Sequence, residues 1–175
     1  MRRALRIAPG GYAYRVLDRA NGRSRIFHKD KEYSVLERIL EEALEHVPVM
    51  RSLADCLMPN HWHLAVWPRA DRDLSDFHHY LTLTHSQRRQ AHYRNVVTGH
   101  LYQGGYKSFP IAADDHFLTV CRYVERNAFR AGKVRTAQDR RWGNLWRGSQ
   151  AVCESFADIE PLAGGDAFGL AEVDR

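Results

Sequence analysis

Residues 58–68 read MPNHWHLAVWP, and this stretch settles what the rest of the chain is built around. Beyond the tight Met58-Pro59-Asn60 connection the residues alternate. Trp62, Leu64 and Val66 point one way from an extended chain, and His61, His63, Ala65 and Trp67 point the other. Residues 49–57 form a strand candidate on the near side of the connection, which makes the pair an antiparallel hairpin.

Working outward, residues 12–18 alternate enough for another strand, and RANGRS at 19–24 reads as a turn or loop. Tyr33, Leu36, Ile39, Leu40 and Ala43 recur at helical spacing and predict an amphipathic helix over 31–46, with Pro48 just beyond its end. Residues 74–93 read as a second helix, rich in arginine and in histidines (His78, His79, His85, His92) expected on its surface. A short strand is expected at 106–111, after Gly104-Gly105. Asp114 or Asp115 then caps a third helix, with Gly132 as its stop. The order βαββαβα with antiparallel hairpins predicts an α+β fold, a ferredoxin-like or RRM-like sandwich with a central antiparallel sheet. The tryptophan-bearing RRWGNLWRG at 140–148 is expected to pack on this body.

The chain has 175 residues, enough for one domain with its own core, placed at 1–150. Residues 151–175 carry six acids against one base and are expected to form a loosely ordered acidic tail. Residues 1–150 accordingly hold 25 bases and 15 acids. Only four of the chain's 26 basic residues are lysines, which leaves 22 arginines. The arginine fork suits phosphates and base edges, so the excess admits a polyanion partner as well as a merely basic surface. No apolar run approaches the roughly 18 residues of a membrane span. The basic N-terminus lacks the apolar stretch of a secretory signal. Cys56, Cys121 and Cys153 form no CxxC pair, which fits reduced thiols in a cytoplasm.

Two sets of residues carry chemistry. His61 and His63 project from one face of a strand, with backbones about 7 Å apart, so their imidazoles can lean onto one divalent cation. They also read simply as surface histidines alternating with a core stripe. On the third helix, Phe117, Val120, Cys121, Val124 and Ala128 form the apolar stripe. Thr119, Tyr123, Arg126, Asn127 and Arg130 form the other, with Tyr123 and Asn127 one turn apart. A tyrosine among arginines on a polar helix face has no evident packing role, although tyrosine is often amphipathic at surfaces. A histidine pair plus such a tyrosine describes a metal site with an oxygen nucleophile.

That combination resembles the single-tyrosine HUH transposases. MPNHWHLAVWP is similar to their HUH box of two histidines around a bulky residue. CRYVERNAFRAGKV, at 121–134, is similar to their tyrosine helix, in which Asn follows Tyr after three residues. GHLYQGGYKSFPI and YRVLDRANGRSRIFHKD resemble the loop and strand before that helix and the first strand with its basic loop. The likeness runs in order from about residue 10 to 147 and looks closest to the REP-associated tyrosine transposases, bacterial proteins linked to repeated extragenic palindromes.

The resemblance implies a metal-dependent endonuclease and strand transferase acting on single-stranded or hairpin DNA. His61, His63 and Asn127 would be ligands of Mg2+ or Mn2+, which suit a mixed nitrogen and oxygen site better than structural zinc does. Tyr123 would be the nucleophile, leaving a 5′-phosphotyrosine and a free 3′-hydroxyl. A tyrosine phenol, with pKa about 10, is a weak nucleophile at neutral pH, hence the need for the cation. Arg19, Asn21, Arg23 and Arg25 form a basic loop suited to DNA, joined by Lys107, Arg126 and Arg130. Arg88, Arg89 and Arg94 add charge on the second helix. The sequence leaves open monomer or homodimer, and an active site formed in cis or across a dimer.

The chain departs from the family pattern in four places. Gly105 stands where arginine is frequent and Ala128 where proline commonly follows the Asn. Asp55 replaces an apolar or aromatic residue, and WGNL replaces a WxWSS-like segment. Other readings are a non-catalytic DNA-binding remnant on the same fold, against which the intact His61, His63, Tyr123 and Asn127 count, and a small zinc domain, against which the lack of clustered cysteines counts.

Overall fold

In the computed structural model, which describes residues 8–93, 100–112 and 115–150, the two-histidine strand has a hydrogen-bonded neighbour on each side. The strands are β1 (Ala13–Arg19), β2 (Arg51–Met58), β3 (His61–Trp67) and β4 (Lys107–Ile111). They lie in the order β2-β3-β1-β4 with every pair antiparallel. This is the expected ferredoxin-like sandwich: β1 and β2 connect through a helix while β3 inserts between them.

The alternation of β3 sorts the helices onto two faces. Trp62, Leu64 and Val66 are buried with Val16 of β1 against α1 (Asp30–His46) and α2 (Asp73–Tyr93). The predicted α1 stripe is the one buried. Glu32 reaches back to accept the Lys29 amide at 3.2 Å, which fixes the helix start. The opposite face carries the small side chains of Ala13, Ala54 and Ala65, over which α3 (Asp115–Glu125) packs Val124, Phe117, Val120 and Cys121.

The third helix departs from the expected single run. Its α-geometry is broken at Arg126, with φ −84° and ψ 5°, and a one-turn α4 (Asn127–Arg130) follows. Gly132, at φ 62°, then stops it as expected: its amide bonds to Phe129 O and that of Lys133 to Ala128 O, a Schellman closure. The helix begins at Asp115, while residue 114, the other expected cap, lies outside the described residues. So do Arg94 and the expected tail at 151–175.

A second correction concerns α2. His78 and His85 are not surface residues but lie buried, at 7% and 3% exposure. They extend the stripe of Leu74, Phe77 and Leu81, and each has a polar partner: Asp18 of β1 lies 2.9 Å from His78 Nε2, and the Tyr102 hydroxyl 2.5 Å from His85 Nδ1. His79 and His92 are exposed, as expected.

The C-terminal segment packs on the body through an aromatic column. His85 stacks on Phe27, Phe27 on Tyr33 at 4.4 Å, and Tyr33 on the buried Trp142 at 5.0 Å. The same segment covers the outer edge of β2. The Leu57 amide donates to Trp142 O at 2.8 Å, and the Asp55 amide donates to Asn144 Oδ1 at 2.9 Å. Two departures from the family pattern thus face each other. The buried Asp55 carboxylate pairs with Arg147 of α5 (Asn144–Gln150), whose guanidinium also holds Glu37 of α1.

Burial raises the proton affinity of both acids, outweighing the opposing pull of Arg147. Asp55 therefore binds its proton more tightly in the folded chain than in the unfolded one. Its favourable contribution is present at and below the ordinary carboxylate range and is lost as pH rises through the raised folded value. At neutral pH Arg147 is what compensates the buried charge. Arg147→Ala should destabilise the fold by roughly 2–3 kcal/mol at pH 7, the usual cost of a broken buried pair discounted for the partly exposed arginine. The cost should shrink toward acid pH as Asp55 takes up a proton. Urea unfolding across that range measures it, and a pH-independent loss would contradict the account.

Candidate active site

The tight turn before β3 organises the site from its backbone outward. Pro59 O accepts the amides of Ile26 and Phe27, and Asn60 O accepts the Ala20 amide at 2.9 Å. The Asn60 side-chain amide donates to Arg23 O at 3.3 Å. The loop carrying Asn21, Arg23 and Arg25 is therefore wrapped around the turn, with Ile26 and Phe27 buried as its anchor and its polar residues exposed. Asn60 has one further contact: its Oδ1 lies 2.7 Å from His61 Nδ1. A carbonyl oxygen there calls for the proton on Nδ1, which puts the ring's lone pair on Nε2.

His61 and His63 lie edge to face, with ring centroids 5.1 Å apart, on the face covered by α3. His61 is hydrogen-bonded to the Asn127 side chain. The half-buried ring of Tyr123 meets His63 edge-on at 6.2 Å. Asn127, Tyr123 and both histidines thus come together within one chain. Register adds neighbours, since Arg19 stands opposite His61 and Leu17 opposite His63.

Neither histidine favours its charged form. Burial lowers the pKa of His61, assisted by Arg19 and opposed by the bond to Asn127. Burial, His61, Arg15 and Arg19 push that of His63 down to about 3. The Nδ1 of His63 is buried with no hydrogen-bond partner among the described residues. Neutral imidazoles, one orphaned ring nitrogen and an adjacent amide oxygen fit a divalent cation with mixed nitrogen and oxygen ligands.

The remaining sequence-derived residues divide in two. Arg130 lies over the Tyr123 ring, its guanidinium carbon 5.0 Å from the centroid. Arg126 sits over Phe129 instead, at 5.5 Å, and Lys107 is exposed at the start of β4. On α2, Arg88 forms a bidentate pair with Glu42, at 2.9 and 2.7 Å, and Arg89 lies over Tyr93. Sequence reading missed Arg15, whose guanidinium carbon lies 5.2 Å from the Tyr123 ring and 4.5 Å from that of Phe109. Strand parity places Arg15 on the face of Arg19, but it is the packing of α3 on that face that brings it to the tyrosine, and the register with β4 that sets it beside Phe109. Tyr102 and Tyr106, the other tyrosines near this part of the chain, are buried in the opposite core.

The family model described as "Transposase IS200 like" matches residues 11–127, more than half of the chain. Among solved structures, the chain is similar to a REP-associated tyrosine transposase bound to a REP hairpin. The identity is 16% and the TM-score 0.69, over 100% of this chain and 98% of that one. It is also similar to a transposase candidate from Deinococcus radiodurans, at 17% identity and a TM-score of 0.49, over 72% of this chain and 95% of that one. No curated protein matches it.

The depressed basicity of the buried imidazoles has a direct test. His63, and His85 in the other core with a pKa near 4, should both remain neutral at pH 5 in nitrogen-resolved NMR spectra of the folded chain. Stability from these neutral rings is present above the unfolded value of about 6.5 and is lost as pH falls toward the folded ones. Imidazolium shifts for His63 at pH 5 would refute the burial argument.

Proposed function

This chain belongs to the IS200-like transposase family, and from that premise we propose that it cleaves and rejoins single-stranded DNA through Tyr123. The observation that carries the reading is the meeting of the Tyr123 ring with His63, while His61 bonds to Asn127 beside them. A nucleophile oxygen and three potential cation ligands share one side of the sheet.

In the proposed reaction the Tyr123 hydroxyl oxygen attacks a DNA phosphorus. The new oxygen–phosphorus bond forms as the bond to the 3′ oxygen breaks, and that oxygen leaves as a hydroxyl. The product is a 5′-phosphotyrosine, which keeps the energy of a phosphate ester, so a 3′-hydroxyl can attack it and restore the strand without ATP. Mg2+ or Mn2+, held by His61, His63 and the Asn127 side-chain oxygen, would polarise the scissile phosphate and offset its charge. The chain's own groups do the positioning. Asn60 fixes the His61 tautomer. Arg15 and Arg130 bracket the Tyr123 ring and bring positive charge to where a phosphate must arrive.

The substrate is read as hairpin DNA of the repeated extragenic palindrome type. The support is the shared fold with a transposase solved bound to such a hairpin. The exposed Asn21, Arg23 and Arg25, together with Lys107 and Arg126, offer phosphate contacts around the site. Arg19 stands nearer the histidines and acts on the same phosphates as the tyrosine.

Tyr123→Phe removes only the hydroxyl. Covalent adduct and cleavage should vanish while hairpin affinity stays within a few-fold, because phosphate contacts dominate affinity. An SDS-resistant adduct carrying label from the DNA 3′ of the nick is the readout, and an adduct with the Phe variant would sink the assignment. A second outcome separates the ligands from the nucleophile. His61→Ala, or excess EDTA with the unaltered chain, should suppress cleavage with Tyr123 still present; undiminished cleavage in EDTA would remove the metal from the account.

A further inference from the structure

A groove of about 390 Å³ opens beside the Tyr123 ring, between β4 and the first turns of α3. Arg15, Phe109, Ile111, His116, Thr119 and Tyr123 line it. Its construction is unusual for a strand edge. Phe109 is 43% exposed, yet its ring is in contact with the Arg15 guanidinium at 4.5 Å, and that guanidinium also meets the Tyr123 ring. Ile111, one register step further along the same face, is buried and closes the inner wall.

We propose that this groove is a nucleobase slot, holding the base of the nucleotide beside the phosphate that Tyr123 attacks, with Phe109 as its stacking platform. Single-stranded nucleic acid is held by this pairing of a flat ring with a nearby cation, because every base has a stacking face and every nucleotide a phosphate. The slot supplies both within one residue's reach. The Arg15 guanidinium plane is engaged by the rings, which leaves its N–H edge for a phosphate oxygen. Thr119 and His116 complete the lining on the helix side. The occupant is a single-stranded base rather than a base pair, since the groove lies within a gap between one strand and one helix. This inference rests on the proposed attack by Tyr123 only for the choice of nucleotide; the stacking site itself does not depend on cleavage.

The test uses the full chain carrying Tyr123→Phe, so that binding is read without chemistry. The probe is an oligothymidylate tail attached to a DNA hairpin, with a single 2-aminopurine walked along the tail. One position should show strong fluorescence quenching on binding. Phe109→Ala should abolish that quenching and weaken binding about tenfold, as expected for one lost stacking contact. Phe109→Tyr should retain both, and an abasic nucleotide at the quenched position should lose affinity with Phe109 present but not with Phe109→Ala. Quenching and affinity indifferent to Phe109 would overturn the slot, even if the unaltered chain cleaved DNA. Conversely, Phe109-dependent quenching with no cleavage by the unaltered chain would uphold the slot and remove the nucleophile assignment.

Discussion

Strand alternation along β3 is the constraint on which the molecule depends. Being hydrogen-bonded on both sides, β3 presents both faces to packed layers, so each residue is committed to one layer or the other. Trp62, Leu64 and Val66 anchor the larger core under α1 and α2, and His61, His63 and Ala65 face α3. A slip by one residue would exchange them, burying the imidazoles under two helices and pushing the tryptophan against the tyrosine. The site and the core are therefore held in register by the same hydrogen bonds. The Asn60 turn reinforces this by tying the basic loop and the first histidine to one backbone corner.

The two faces are made differently, and the difference suits their roles. The face under α1 and α2 is filled by large side chains, including fully buried Trp62, Phe27 and Phe77. The site face is floored by Ala13, Ala54 and Ala65. Small residues let α3 approach the sheet closely enough for the Tyr123 ring to meet His63. The break at Arg126 places Asn127 on its own short segment, so the amide that contacts His61 is not held by the same unbroken helix as the tyrosine.

Much of this was legible from patterns of period two and period 3.6. The strand parity of 61–67, the α1 stripe from Tyr33 to Ala43 and the α3 stripe from Phe117 to Ala128 all have their predicted faces. What escaped depended on contacts between distant residues. His78 and His85 read as surface because histidine is polar, although their spacing from Leu74 and Leu81 marked them as part of the buried stripe. Their partners, Asp18 and Tyr102, come from other elements. Arg15 was invisible for the same reason, since its two ring partners come from β4, which pairs with β1, and from α3, which packs across the sheet. Asp55 looked like a misfit in a strand until Arg147, 92 residues away, supplied its counter-charge.

The sheet has two outer strands, and they are guarded by different means. The edge at β4 is short and contains Pro110, which cannot donate a hydrogen bond to a stranger. The edge at β2 has no such residue within Arg51–Met58. Its outward amides at Asp55 and Leu57 are instead occupied by Asn144 and the Trp142 carbonyl. The residues from Arg140 onward thus do for β2 what proline does for β4. A chain cut short before them would still contain the residues of every strand and of the histidine–tyrosine site, yet it would bare the β2 edge and lose Trp142 and Arg147. Its failure would then combine a loosened core, with the buried Asp55 uncompensated, and self-association through that edge.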